Sequence, residues 1–258
     1  MPRWTAFPYD AADYTYSATT LKKHWAQLHQ GDAEPWPADA AVRKAWIAFH
    51  AGRFQQARDT GLEAGGAGIT VANKAQCIYA NYLEKSEKKK LALFLQAAER
   101  AEGQQADEPD NANAWYWQAY ALGRYSQTIS VAQALAEGLG LKVRQALERA
   151  IALQPRHADA HIALGAFHAE VIDKVGKLLA LAQGADAGAG LRAFERALRL
   201  NPGSAIGRIE YANGLVMLEG ERRMAQAEAL YAEAAASEPM DAMERLDVEM
   251  ARAELEDE

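Results

Sequence analysis

Three histidines are the residues of this sequence whose types and spacing come nearest to a metal site. His157 and His161 are four residues apart, and His168 follows seven later, so one helical face could carry them. Zinc sites on helices combine such histidines with cysteine or with the glutamate of an H-E-x-x-H sequence, and neither stands beside these residues. His157 also follows Pro155 in an apparent turn. We therefore expect no metal site and no cofactor.

Motifs for covalent or phosphate chemistry are missing from the sequence. It contains neither a G-x-S-x-G elbow nor a phosphate loop ending in G-K-[ST]. The glycine-rich stretch 184–190 precedes a helix, but no strand comes before it and no lysine follows, which indicates a flexible connection. Cys77 lies in the apolar sequence AQCIYANYL and is expected to be a buried small side chain. We expect no enzymatic activity.

Charge, cysteine content and hydropathy limit the partners and the cellular location that we expect for the protein. The net charge of −7 argues against a nucleic-acid partner, because nucleic-acid surfaces are basic. The single cysteine allows no intramolecular disulfide. The first residues lack a charged lead followed by an apolar run, and the most apolar run, 175–182, is too short to span a bilayer. We expect a cytoplasmic protein without a membrane span.

The elements that would position any site are helices. Helix-forming residues dominate, proline and glycine fall between apolar-periodic runs, and no sustained alternation indicates strands. Ser17 and Asp110 are expected helix N-caps. The predicted helices are 17–30, 38–51, 54–64, 70–85, 87–104, 111–127, 130–137, 141–154, 158–174, 188–200, 203–219, 222–236 and 240–255.

Two stretches of the chain are copies of one pattern, ALERAIALQP (146–155) and AFERALRLNP (193–202). Pro109 and Pro155 are 46 residues apart, and Pro155 and Pro202 are 47 apart. Small and large residues recur at fixed offsets before Pro155, Pro202 and Pro239: Ala150, Ala197 and Ala234 five residues before, and Leu147, Phe194 and Tyr231 eight residues before. Such offsets predict helix hairpins, each ended by a proline and stacked on the next into a solenoid.

The repeated pieces resemble the tetratricopeptide repeat (TPR) family over 110–239, and GRFQQARDTGLEAG (52–65) resembles half of one more unit. The resemblance implies an all-α, right-handed superhelical stack of antiparallel helix hairpins. We divide the chain into an aromatic N-terminal arm (1–16), degenerate TPR-like hairpins (17–109), three TPR-like units of which two carry inserts (110–239), and a capping helix with an acidic tail (240–258).

Two of the units are longer than the family period of about 34 residues. The additional residues fall between the two helices of a unit, around 125–140 and 171–190. Together with the runs GLK…ALERAIALQP and FERALRLNP, these long units resemble the TPR domain of the regulator-of-microtubule-dynamics family, which implies an interaction module. Nothing in the sequence specifies tubulin binding.

The TPR resemblance also implies candidate binding positions, since family members bind ligands on the concave face formed by the first helix of each unit. Those positions fall on the following residues: Asn113, Tyr116, Tyr120, Asp159, Ile162, Ile209 and Asn213. The mixture of aromatic, apolar and amide side chains suits a peptide or a helix in a groove. A carboxylate clamp of the family is not supported, because Ile209 stands where its lysine should be.

Two hypotheses about function remain from the sequence. The first is a non-enzymatic scaffold that binds a peptide or helix of a partner protein against Tyr116, Tyr120, Ile162 and Ile209. The alternative is a small-molecule-binding protein whose pocket is closed by the inserts 125–140 and 171–190. The sequence names neither the partner nor the small molecule.

Overall fold

A computed structural model describes residues 3–257 of the chain. Within that range the protein is all-α, with thirteen α-helices and no strand. The helices are α1 (Ala18–Leu28), α2 (Ala40–His50), α3 (Phe54–Ala64), α4 (Gly68–Tyr82), α5 (Glu87–Asp107), α6 (Ala112–Thr128), α7 (Val131–Ala136), α8 (Leu139–Leu153), α9 (Ala158–Ala182), α10 (Ala187–Leu200), α11 (Ala205–Glu219), α12 (Met224–Ala235) and α13 (Ala242–Asp257). Consecutive helices pack as hairpins in a right-handed superhelical stack, which confirms the predicted fold class.

Of the two predicted helix N-caps, Ser17 is confirmed and Asp110 is wrong. Ser17 accepts a hydrogen bond from the backbone N–H of Thr20, and the Thr20 side chain accepts one from the Ser17 N–H, which makes a capping box. The first turn of α6 is capped by Asn111, one residue later than the predicted cap Asp110. Asn111 is the better cap because its side-chain oxygen reaches two N–H groups of the turn.

The residues at the repeated offsets before the prolines pack between the two helices of each unit. Ala150, Ala197, Leu147 and Phe194 are all buried. The Phe194 ring lies so close to α9 that a Cβ added to Gly165 would be 2.8 Å from it. A small residue on the first helix of a unit therefore lets the second helix approach closely, as the repeat pattern predicts.

The second insert is more helical than the sequence suggests. We predict a helix that ends at residue 174, whereas α9 continues to Ala182. Gly176 interrupts it with a φ of 77°, a left-handed conformation that favours glycine, and the helix resumes over the apolar residues that follow. The first insert contains the short helix α7.

The N-terminal residues lie on the first hairpins. Trp4 stacks on Tyr79 with ring centroids 4.1 Å apart, and the guanidinium of Arg58 lies over the same indole, 4.6 Å from the ring centroid. The Tyr16 hydroxyl donates to the Met240 carbonyl at 2.8 Å. These contacts join the start of the chain to the segment before α13.

Helix α13 links the C-terminal end of the stack to the N-terminal hairpins. Ala242 and Leu246 share one apolar core with Trp46 and Phe49 of α2. Beside this core, His50 Nδ1 donates to Asp241 Oδ2 at 2.7 Å. The superhelix is thus closed across its concave side.

None of the helices in residues 3–257 combines the length and the hydropathy that crossing a bilayer requires.

Candidate functional site

The segment between α1 and α2, residues 29–39, lies against the groove side of the central units, and we call it the central loop. The Asn113 side chain donates to the Asp32 carbonyl at 3.1 Å and to the Glu34 carboxyl at 2.6 Å. Because Asn113 is one of the predicted groove positions, part of the concave face is occupied by the chain itself.

The histidines singled out by the sequence have structural partners. His157 accepts a backbone N–H of the first turn of α9 at Nδ1, which places its proton on Nε2, and this atom donates to Asn113 Oδ1 at 2.9 Å. His168 Nδ1 accepts from the Asp186 N–H, and His161 lies partly exposed. Over the described residues, no group of three or more His, Cys, Asp or Glu side chains is arranged to hold a metal ion.

A cavity of about 210 Å³ remains beside the central loop. Both inserts contribute apolar side chains to its wall: Val131, Ala134 and Leu135 from the first, and Val171 and Val175 from the second. Concave-side helices and the central loop contribute ionisable side chains: Asp32, Lys74, Tyr82, Arg124, Asp159, Glu170, Glu210, Glu244 and Asp247. The cavity is therefore amphipathic.

Four of the seven predicted groove residues line this cavity: Tyr116, Tyr120, Asp159 and Ile162. Tyr116 is buried and its ring packs on the imidazole of His157, with centroids 4.6 Å apart, so only part of it faces the cavity. Tyr120 and Asp159 are half-buried. These two side chains have the most surface available to a ligand.

The other three predicted residues lie elsewhere. Asn113 holds the central loop, as described above. Ile209 is buried in a small core with Ala234 and Val248. Asn213 accepts a hydrogen bond from the Tyr231 hydroxyl at 2.7 Å and lines a separate depression.

A buried ion pair lies at the edge of the cavity. Lys74 Nζ is 2.6 Å from Asp32 Oδ2, and His29 Nδ1 donates to Asp32 Oδ1 at 2.9 Å. Burial lowers the pKa of His29 to about 4, so the ring is neutral at neutral pH. Burial by itself would raise the pKa of the Asp32 carboxyl, but His29 and Lys74 outweigh it and hold that pKa well below its usual value.

Four other carboxyls of the wall have raised pKa values, and one of them is Glu170, whose pKa is raised by burial. Burial and the nearby charge of Asp32 raise the pKa of Asp159 to about 7. Burial and Asp241 raise the pKa of Glu244 to about 7. Burial raises the pKa of Asp247 well above its usual value, although the Tyr82 hydroxyl donates to this carboxyl.

A second ion pair lies among the aromatic residues of the wall. Arg124 Nη2 is 2.7 Å from Glu210 Oε1, and the guanidinium lies over the Tyr120 ring, 5.3 Å from its centroid. Glu170 accepts from Gln127 Nε2 at 2.6 Å. Lys74 and Arg124 are thus both neutralised within the protein.

One feature of the sequence, separate from the repeat pattern, indicates the polar wall. Lys74 is the only charged residue between 68 and 83, and α4 is buried over 70–80. A lone lysine in a buried helix requires a carboxylate partner nearby. Nothing in the sequence identifies that partner, since Asp32 lies 42 residues earlier.

The thiol of Cys77 is buried, and burial raises its pKa to about 12. A thiol with so high a pKa carries almost no thiolate near neutral pH. Cys77 is therefore a small core residue of α4, as the apolar sequence around it predicts.

Comparison with known proteins agrees with the repeat pattern. A family model described as regulator of microtubule dynamics protein 1-3 matches residues 70–245. The fold is similar to the crystal structure of a thermophilic TPR protein of Thermus thermophilus, with a TM-score of 0.58 and 17% identity, covering 83% of this chain and 97% of that one. No curated protein matches the chain. Because the family match spans more than half of the sequence, the chain belongs to the regulator of microtubule dynamics protein 1-3 family.

Proposed function

We propose that the protein is a non-enzymatic interaction module that binds a peptide or helix of a partner protein in the cavity on its concave side. The observation that carries this proposal is the composition of the wall, where Tyr120 and Ile162 of the repeat units meet apolar side chains of both inserts. Val131 and Leu135 of α7 are 41% and 49% exposed, which is unusual for large apolar residues at a cavity and suits a surface that is covered by a partner.

Closure of the superhelix limits what the cavity accepts. A long helix lying along the whole groove would collide with the central loop and with α13, both of which contribute to the cavity wall. The bound segment is therefore short and enters beside the inserts. This restricts the peptide-in-groove mode of TPR-like proteins to a local pocket.

Site-specific photo-crosslinking tests the proposal. A benzophenone amino acid replaces Leu135 at the cavity in one variant and Leu95, which is 43% exposed and outside the cavity, in a matched control. After irradiation in the native cell extract, we expect the variant at 135 to crosslink one segment of one protein. Tyr120→Ala should abolish that crosslink. Identical products from positions 135 and 95 would contradict the proposal.

The alternative function, small-molecule binding, has one observation in its favour. Both inserts line the same volume of about 210 Å³, as a pocket closed by them requires. Native mass spectrometry of the purified protein distinguishes the two functions. A retained mass that is lost in Tyr120→Ala would support the small molecule, whereas a bare chain together with a specific crosslink at 135 would support the protein partner.

A further inference from the structure

We infer that the bound segment carries a lysine or arginine side chain, which enters the cavity beside Asp159, Glu244 and Asp247 while neighbouring apolar side chains lie against the inserts. This inference rests on the proposed function and names the chemistry of the segment. It follows from the way in which charge is distributed over the wall of the cavity.

The cations in the wall are already paired. Lys74 is bound to Asp32, and Arg124 is bound to Glu210, each with a nitrogen-to-oxygen distance below 3 Å. Lys174, at the rim, lies 3.5 Å from Glu170. An anionic ligand would have to displace one of these carboxylates and leave it buried, so the wall is poorly suited to phosphate or carboxylate groups.

Three carboxyls of the wall form no ion pair with a cation among the described residues, although the charge of Lys74 acts on Asp159 and Glu244 from a longer distance. The Asp159 side chain accepts no hydrogen bond and forms no ion pair there. Glu244 accepts only the backbone N–H of Met240, at 2.7 Å, and Asp247 accepts only the Tyr82 hydroxyl. Each of the three retains lone pairs for a further donor.

The three carboxyls belong to one cluster. Glu244 and Asp247 are three residues apart on α13 and therefore share a helix face. Asp159, in the first turn of α9, lines the same cavity as these two residues, and its charge raises the pKa of both. A cation placed among the three stabilises their ionised form, which the neighbouring carboxyls otherwise disfavour, and this is the electrostatic complementarity that the inference requires.

A side-chain ammonium or guanidinium suits this cluster better than a metal ion. No metal-binding arrangement of His, Cys, Asp or Glu occurs in residues 3–257. Tyr82, Tyr116 and Tyr120 also line the cavity, and aromatic rings favour the methylene stem and the cationic end of such side chains. The apolar residues of the inserts then accommodate the neighbours of the basic residue.

Blocked pentapeptides test the inference directly. The probes are acetyl-Ala-Leu-Lys-Leu-Ala-amide, the same peptide with acetyl-lysine in place of lysine, and the same peptide with glutamate. Acetyl-lysine keeps the methylene stem and removes the charge. Isothermal titration calorimetry measures the affinities. We expect the lysine peptide to bind about tenfold tighter than the acetyl-lysine peptide, because one charge-assisted hydrogen bond contributes about that factor. The glutamate peptide should bind weakest.

Variants of the cluster make the result specific to the site. Asp159→Asn combined with Glu244→Gln keeps the shapes of both side chains, and it should abolish the preference for lysine while the acetyl-lysine peptide still binds. Glu195→Gln, at an exposed carboxyl of α10, is the control and should leave the preference unchanged. Equal binding of the lysine and acetyl-lysine peptides would overturn the cationic inference alone. Binding of none of the peptides would count against the peptide groove itself.

Discussion

The Lys74 ammonium and the Asp32 carboxylate form an ion pair of 2.6 Å in which both side chains are almost completely buried. This contact joins α4 to the central loop, two elements whose paired residues are 42 positions apart in the chain. Asp32 also receives the His29 N–H, so each oxygen of the carboxylate has a partner. The pair fixes the central loop in the position from which it lines the cavity.

Loss of Lys74 should be strongly destabilising. In Lys74→Met the Asp32 carboxylate stays buried without its cation, and removing one partner of a buried pair typically costs about 3–5 kcal/mol. Urea unfolding followed by circular dichroism measures the effect. The exposed Lys177→Met is the control and should change the free energy of unfolding by less than about 0.5 kcal/mol.

A second variant separates charge from packing in this prediction. Asp32→Asn added to Lys74→Met removes the uncompensated charge, and at least about 1 kcal/mol of stability should return. If Lys74→Met were as stable as Lys177→Met, the buried ion pair would have no structural role.

Asn113→Ala should release the central loop while the helices survive. The change removes the donors to Asp32 and Glu34 and leaves the His157 N–H without its acceptor, which together predict a loss of about 1–3 kcal/mol. Hydrogen–deuterium exchange should show faster exchange confined to residues 29–39. Gln145→Ala, at an exposed position of α8, is the control, and equal exchange in the two variants would contradict the prediction.

Gly165→Ala tests the close approach of α9 and α10. The added Cβ would lie 2.8 Å from the buried Phe194 ring, and such overpacking costs about 1–3 kcal/mol. Gly103 is also helical but has open space around its Cα, so Gly103→Ala should instead stabilise the protein by up to about 1 kcal/mol. Thermal unfolding of both variants measures the difference, and a shift of the same sign in both would refute the packing argument.

The architecture could be predicted from the sequence because it depends on local signals. The offsets around Pro155 and Pro202 repeat a packing pattern, and every predicted helix corresponds to an observed one. The extension of α9 past residue 174 could not be predicted in this way, because glycine usually ends a helix, whereas Gly176 only kinks this one.

The residues that line the candidate site could be predicted only in part, because its polar wall depends on contacts between distant segments. Tyr116, Tyr120, Asp159 and Ile162 follow from the position of each residue within its repeat unit. Nothing local shows that the polar residues 29–39 fold inwards or that Glu244 and Asp247 return to the N-terminal hairpins. Both depend on closure of the superhelix, which cannot be predicted from the repeat pattern of the sequence.

Buried carboxyls predict an unusual dependence of stability on pH. Burial raises the pKa of Glu34 to about 8, and the pKa values of Asp159 and Glu244 are about 7. Between pH 5 and 8 the folded protein therefore holds protons that the unfolded chain has already lost. These carboxyls make stability fall as pH rises, because the folded state binds their protons more tightly, whereas His29 and His157, whose pKa values are lowered by burial, have the opposite effect below about pH 7.

The interval from pH 7.5 to 8.5 isolates this effect, since His29 and His157, with pKa values of about 4 when folded and about 6.5 when unfolded, are almost entirely neutral there in both states. We expect the free energy of unfolding to decrease across it by up to about 1.4 kcal/mol per pH unit for each proton released. Urea titrations at several pH values measure the slope. Asp159→Asn with Glu244→Gln removes two of the titrating groups and should flatten it, whereas Glu195→Gln should not. A slope that is positive, or that is unchanged in the double variant, would show that these carboxyls are ionised in the folded protein.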